Sequence, residues 1–397
     1  MKSLCFIVES GTDVRLVDGL GDRYKLSILA RRIEAGVEIS QTPKQTPELT
    51  IGPASRLKFA VSVWKHLRAC RNQTDRVIVQ GYGLAALAAN VAGRINRIPT
   101  AMLVCSPVED YYRCRKKFPD KDKPFRSWNW LLLKMLARIN AKLGRQYIVL
   151  SEHLAQVVRR HGSHRSVAII PLYGVDTTVF VPTSQTKTAV RFSAGLPVTG
   201  SLIFFSSRIA PEKDSETMLR ALRILVDKGL DARLIHRSGG YQNFLQQAEQ
   251  LGVAEHVIAT DAVHPHEQLP ADYQASDVCV QASRAEGLGF SPLEALACEV
   301  PVIASAVGGL KETIRDGETG WSYPVGDHVA LANAIEQALD NPDEASRRAQ
   351  SGRAMVIRKY DARIAFDQLD EMKWVGESAG DAERLDLETP VALKREV

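Results

Sequence analysis

Residues Ser283–Asp327 read SRAEGLGFSPLEALACEVPVIASAVGGLKETIRDGETGWSYPVGD. An apolar run at Val278–Gln281 leads into this stretch and predicts a strand. Glu286 follows, then Gly287-Leu288-Gly289-Phe290, and a helix is expected from about Ser291-Pro292, where serine can cap and proline suits the first turn. Glu294 falls within that expected turn. Glycines ahead of a helix N-terminus leave backbone N–H groups free to face an anion, helped by the helix dipole. Carboxylates beside such a site are poor phosphate ligands but good acceptors for hydroxyl groups. Further along, Gly308-Gly309 precedes a second short helix carrying Glu312.

Upstream, the run Ser201–Phe205 predicts a strand followed by Ser206-Ser207-Arg208-Ile209-Ala210-Pro211-Glu212-Lys213, with a helix opening near Asp214. Arg208 and Lys213 thus flank a loop at a strand's carboxyl end, where open α/β sheets bind ligands. Two fixed cations there can hold a diphosphate without a metal. Strand and helix signals alternate along the whole chain, the pattern of parallel strands joined by helices. Strands are expected at Leu4–Val8, Leu26–Leu29, Val77–Gln80, Ala101–Cys105, Tyr147–Leu150 and Val167–Ile170, and again at Arg233–His236, His256–Ala259 and Val302–Ala304. The polar run 181–190, VPTSQTKTAV, reads as a linker. The expected architecture is therefore α/β with two Rossmann-like domains facing a central cleft, at 1–182 and 190–358. A terminal helix at about 361–375 is expected to pack back on the first domain, and 376–397 to form a loose tail.

The chain has 397 residues, 45% hydrophobic and 24% charged, which excludes a disordered or collagen-like class. No apolar run approaches the ~18 residues of a membrane span, and the N-terminus lacks a signal-peptide core, so a cytoplasmic protein is expected. Six cysteines show neither a C-x-x-C pair nor zinc spacing and read as reduced thiols. The net charge of +5 conceals a division: residues 1–180 hold 29 Lys+Arg against 14 Asp+Glu, and the remainder 22 against 32. A basic first half suggests an anionic partner or a merely solvated face. Peripheral contact with an anionic membrane, through Arg113, Arg115, Lys116 and Lys117, is one reading; nucleic acid is not expected, because no reader motif is present.

In the second half these motifs resemble the donor domain of retaining glycosyltransferases of family 4, which have the two-Rossmann GT-B fold. The family's E-x7-E signature stands as Glu286 to Glu294, joined by SSRIAPEKD and by IPLYGVDTTVF at Ile170–Phe180. The resemblance implies a retaining, metal-independent enzyme moving a sugar from a UDP- or GDP-linked donor to a glycan or lipid-linked acceptor, with no cofactor. It implies that Arg208 and Lys213 bind the diphosphate and that Glu286 bonds the donor sugar. Gly287, Leu288, Gly289, Phe290 and Ser291 would then line the donor, Glu294 accept from the ribose, and Gly11 let the first domain approach. Many relatives carry a histidine where this chain reads Cys105-Ser106-Pro107-Val108-Glu109-Asp110-Tyr111-Tyr112, so Glu109 and Tyr111 become the acceptor-side candidates. The asparagine usual before Gly-Val-Asp is Tyr173. A nucleotide-sugar-binding scaffold without transfer activity is the alternative.

Four further features are decoys on this reading. Gly81-Tyr82-Gly83-Leu84-Ala85-Ala86 matches G-x-G-x-x-A and would suit a dinucleotide oxidoreductase, but it does not follow the first strand. Asp120-Lys121-Asp122 and His264-Pro265-His266 read as solvated loops rather than metal sites. Phe125–Leu143 is amphipathic, with Trp128, Leu132, Met135, Ile139 and Leu143 on one stripe and Arg126, Lys134, Arg138 and Lys142 as cationic heads; such a helix can lie in a membrane interface, but it leads directly into a strand and is expected to cover the first sheet with that stripe.

Overall fold

The computed structural model describes residues 1–33, 43, 46–116, 127–163, 165–237, 240–260 and 268–376. The Asp120 and His264 motifs, Lys117 and residues 377–397 lie outside them. The first domain runs β1 (Ser3–Val8), α1 (Val14–Gly21), β2 (Lys25–Arg31), β3 (Glu48–Gly52), α2 (Arg56–Ala69), β4 (Arg76–Gln80), α3 (Leu84–Asn96), β5 (Thr100–Val104), α4 (Val108–Arg115), α5 (Trp128–Leu143), β6 (Gln146–Val149), α6 (Glu152–Arg160) and β7 (Ser166–Ile169). Its strands pair in the order β3-β2-β1-β4-β5-β6-β7, all parallel. Cys5–Ile7, Val77–Val79, Ala101–Leu103 and Tyr147–Val149 are wholly buried, because helices cover both faces of a parallel sheet.

The second domain runs α7 (Lys187–Ser193), β8 (Ser201–Phe205), α8 (Ser215–Asp227), β9 (Ala232–Arg237), α9 (Tyr241–Gln250), β10 (Val257–Thr260), α10 (Leu269–Ala275), β11 (Val278–Gln281), α11 (Phe290–Ala297), β12 (Val302–Ser305), α12 (Leu310–Thr313), β13 (Trp321–Tyr323), α13 (His328–Asp340) and α14 (Pro342–Lys359). Its parallel order is β10-β9-β8-β11-β12-β13. In each sheet the order reverses beside the first strand, at β1/β4 and at β8/β11. Loops leaving those strands splay apart there and make a ligand crevice. The Gly81–Gly83 turn follows β4, and a Cβ on Gly83 would strike the Glu9 carboxylate, so close packing accounts for it.

α15 (Ala362–Glu371) crosses back to the first domain. Gly19 of α1 gives room to the Phe366 ring, Arg23 pairs with Asp370 at 2.5 Å and Asp367 at 2.8 Å, and Trp374 is buried under Arg76.

Two expectations are corrected. Within the 181–190 run the chain is already helical from Lys187, because Thr186 caps α7 and the buried Arg191 pairs with Asp277 at 2.5 Å. The apolar stripe of α5 does not cover the sheet: Trp128, Leu132 and Met135 are 81%, 53% and 52% exposed. The helix packs instead through Ala137, Asn140 and Ala141. Asn140 donates to the carbonyls of Tyr82 and Gly83 and accepts from Asn90, and small residues let α3 approach. A buried amide network thus overrode the hydrophobic period.

Candidate active site

The loops after β8 and β11 meet through their side chains. Lys213 ends a single 3-10 turn and its ammonium contacts Glu286 Oε2. That oxygen also accepts from Ser283 at 3.1 Å and Gln281 at 3.3 Å, while Oε1 accepts from Tyr111 of the first domain at 3.3 Å. Gln281 in turn accepts from Ser207, next to Arg208. Glu294 accepts from Tyr273 at 2.8 Å, and the Tyr273 hydroxyl lies 3.0 Å from Ser206 Oγ. Arg208, Lys213, Glu286 and Glu294 therefore border one site at the carboxyl ends of β8 and β11, built of two hydrogen-bonded clusters, one around Glu286 and one around Glu294, that meet at the adjacent Ser206 and Ser207. Arg208 is its exposed member, 4.0 Å from the fully buried Glu212.

The α11 N-terminus differs from expectation by one residue. The helix opens at Phe290 with Gly289 as cap, so Ser291 does not cap and Glu294 lies beyond the first turn. Gly289 adopts φ +94° and, being glycine, brings no side chain to cap the helix, so among the described residues the first amides stay available to a ligand. Gly287 and Gly308 pack backbone to backbone: a Cβ on Gly308 would lie 2.0 Å from the Glu286 carbonyl, and one on Gly287 2.4 Å from that of Cys105. Leu288 is buried beneath them, and Gly11 stands in the loop between β1 and α1.

The first domain reaches this network from several loops, and sequence reading missed most of the contacts. Arg15 donates to Glu294 Oε1 at 2.7 Å and pairs with Asp13 at 2.7 Å, its guanidinium 5.7 Å from the Phe290 ring. Burial opposes its charge, yet the carboxylates of Glu294 and Asp13 raise its pKa. A cation in a helix's first turn opposes the dipole and asks for acidic partners, a signal that was available. Arg115 holds Glu212 at 3.0 Å; burial alone would raise that carboxyl, but the guanidinium keeps it below the ordinary range. Burial, then Glu286, push the Tyr111 phenol upward. Ser151 donates to the Gly287 carbonyl at 2.6 Å.

Glu312 has a different task from the one its loop suggests. Its carboxylate accepts from the backbone amides of Glu152 and His153 at 3.0 and 2.7 Å, so it caps α6 across the cleft. Burial outweighs those bonds and raises its pKa. Glu109 is not brought to the network either. It lines a separate cavity of about 360 Å³ with Lys134, Arg138 and Arg160, 3.4 Å from His161. Burial first, then those three cations, depress His161 to about 4. Arg113 lines the cleft between the domains, and Arg115, itself exposed, reaches across to Glu212 of the second domain. A cavity of about 800 Å³ opens between the domains beside the Glu286 loop, lined by Arg113 and His153 on one side and Arg284, Gly308 and Lys311 on the other.

Tyr173 stands at φ +95°, where a bulky side chain is strained, beside Gly174 at +60°. Its ring meets Phe290 edge-on at 5.3 Å and its hydroxyl lies 3.3 Å from Cys105 Sγ. The residue that replaces the usual asparagine thus braces the start of α11 from the interdomain side.

Residues 186–355 match the family model described as glycosyl transferases group 1. A GDP-mannose-dependent alpha-(1-6)-phosphatidylinositol monomannoside mannosyltransferase of Mycolicibacterium smegmatis is 36% identical over 211 residues, 50% of this chain and 54% of the relative. A D-inositol 3-phosphate glycosyltransferase of Corynebacterium diphtheriae is 31% identical over 214 residues, 52% of this chain and 49% of the relative. The chain thus spans about half the length of the curated relatives it matches. Among solved structures, sucrose-phosphate synthase from Thermosynechococcus elongatus superposes with TM-score 0.74 at 20% identity, covering 93% of this chain and 98% of that one. Anabaena HepE in complex with UDP-glucose superposes at 0.73 and 16% identity, covering 94% and 99%. At these identities the likeness shows the fold alone, and that fold is GT-B.

Proposed function

From a group 1 glycosyltransferase domain set in a GT-B frame, we propose that the chain moves a sugar from a nucleoside diphosphate donor, UDP- or GDP-linked, to a hydroxyl acceptor with retention of configuration. The observation that carries this reading is the gathering of Lys213, Glu286, Glu294 and the uncapped α11 N-terminus on neighbouring loops, each carboxylate held by a first-domain side chain. The Lys213 ammonium has further N–H donors to offer a phosphate, and Arg208 is exposed and free to swing toward it. With the amides of Gly289 and Phe290 they stabilise the charge that grows on the departing diphosphate. Positive charge built from side chains and backbone lets the reaction run without a metal.

Glu286 is held by four donors, which suits an acceptor for sugar hydroxyls rather than a nucleophile. The chemistry then takes place on one face. The bond between C1 and the phosphate oxygen breaks with its electron pair on the phosphate, the acceptor oxygen bonds C1, and its proton passes to the departing phosphate. Glu294 would take the ribose hydroxyls, and Tyr111, in the loop where many relatives carry a histidine, would face the acceptor. The 800 Å³ cavity between the domains supplies room for a glycan or the head of a lipid-linked acceptor. Peripheral contact with an anionic membrane would bring the latter within reach. The test is incubation of the purified chain with UDP- and GDP-sugars and candidate acceptors, reading product anomers by NMR. Transfer with an inverted anomer would remove the retaining step; no transfer, no hydrolysis and no thermal stabilisation by any nucleotide would remove the whole reading.

A further inference from the structure

The geometry points to the outward face of α5 as a docking surface for an anionic membrane. At about 100° per residue, Trp128, Leu131, Leu132, Met135, Arg138, Ile139 and Lys142 fall within a sector of roughly 120° on the helix. Four of these apolar side chains are more than half exposed, Trp128 at 81%. Arg138 and Lys142 are exposed as well, while Ala137, Asn140 and Ala141 hold the opposite face to the domain. The outer face therefore begins apolar, with an indole at its tip, and ends cationic. A helix lying in a membrane interface takes that form: apolar side chains sink to the acyl boundary and cations meet lipid phosphates.

Charge selects the occupant. Neither α3 nor α5 carries a carboxylate. Arg94 of α3 donates to the Leu143 carbonyl at 3.3 Å, which sets another exposed cation at the end of α5. A second copy of the chain docked through the same face would oppose these cations to their own images. An anionic lipid surface neutralises them, in keeping with 29 Lys+Arg against 14 Asp+Glu in residues 1–180. This deepens the membrane contact proposed above, and its test requires neither donor nor acceptor.

The full chain is sedimented with vesicles of phosphatidylcholine alone and with vesicles containing one part in three phosphatidylglycerol. Binding is expected to the anionic vesicles only, and to weaken in 0.5 M salt. Each juxtaposed cation contributes about fivefold to such partitioning, so Arg138→Glu with Lys142→Glu lowers it at least tenfold. Trp128→Ala with Leu132→Ala lowers it too, and since all four positions lie on the surface, circular dichroism of both variants stays native. Equal binding to neutral vesicles, or anionic binding that neither variant reduces, overturns the proposal. So does a dimer in light scattering that Trp128→Ala dissociates. Sugar transfer to a soluble acceptor remains at the wild-type rate in both variants, and its failure in the wild type would strike the catalytic reading instead.

Discussion

Replacing Lys213 by alanine separates the catalytic demand on this residue from its structural one. The Lys213 and Glu286 side chains are only 14% and 9% exposed, so their contact is made largely out of water. Cutting a buried ion pair by removing one partner costs about 3–5 kcal/mol when the other charge is left alone. Glu286 is not left alone, since Ser283, Gln281 and Tyr111 still donate to it. The loss therefore falls toward that of one charge-assisted hydrogen bond, about 1.5–3 kcal/mol. For a domain of this size the melting temperature drops by roughly 3–10 °C, and the chain stays folded at 25 °C. The chemical cost is larger in its effect. Losing one preorganised donor to a developing anion typically lowers kcat by about 10²–10³-fold. Lys213→Arg restores charge without the same geometry and should fall between the two. The assay is the initial rate of nucleoside diphosphate release with whichever donor the wild type accepts, alongside circular dichroism. A folded Lys213→Ala chain that turns over within tenfold of wild type would refute the leaving-group role.

Three other expectations are open to measurement. In a double-mutant cycle, Arg15→Ala and Glu294→Gln should couple by about 1.5–3 kcal/mol in urea unfolding; coupling near zero would mean that the 2.7 Å interdomain pair does not persist in solution. Gly287→Ala puts a Cβ 2.4 Å from the Cys105 carbonyl, so the domains should part, with a larger radius of gyration in small-angle scattering and loss of transfer; an unchanged radius would contradict the close approach. His161 is depressed from 6.5 to about 4, so its contribution is present above pH 6.5 and lost as pH falls toward 4, by at most on the order of 3 kcal/mol. Glu109, raised by burial, works in the opposite sense, so the variant His161→Gln isolates the histidine: its unfolding free energy should fall less than the wild type's between pH 7 and 5.

Strands with dense apolar runs were legible because a parallel sheet covered on both faces leaves no alternation to misread. The edge strands β3 and β13 were not: ELTIG is mostly exposed, and Trp321–Tyr323 is three residues long. The second-domain loops could be read in order because their chemistry is local, each cation or glycine lying a few residues from its strand. Contacts across the cleft could not, since Arg15 and Glu294 are 279 positions apart and no local pattern joins them. Glu109 and Glu312 show the converse limit. Residue type and loop position suggested ligand contacts, whereas one faces His161 in another cavity and the other caps a helix. On α5 the period was read correctly and its direction was not, because the amide of Asn140 decided which side faced inward.

The clasp of Glu312 on α6 ties the aperture of the cleft to the integrity of one helix. When the domains part, the Glu152 and His153 amides exchange a fixed carboxylate for water, and the first turn of α6 loses the acidic cap that the second domain lends it. Hydrogen–deuterium exchange at those two amides is thereby a gauge of opening that needs no label, sensitive to any ligand that holds the halves together. A molecule that shut the cleft would slow it, and one that wedged it ajar would quicken it.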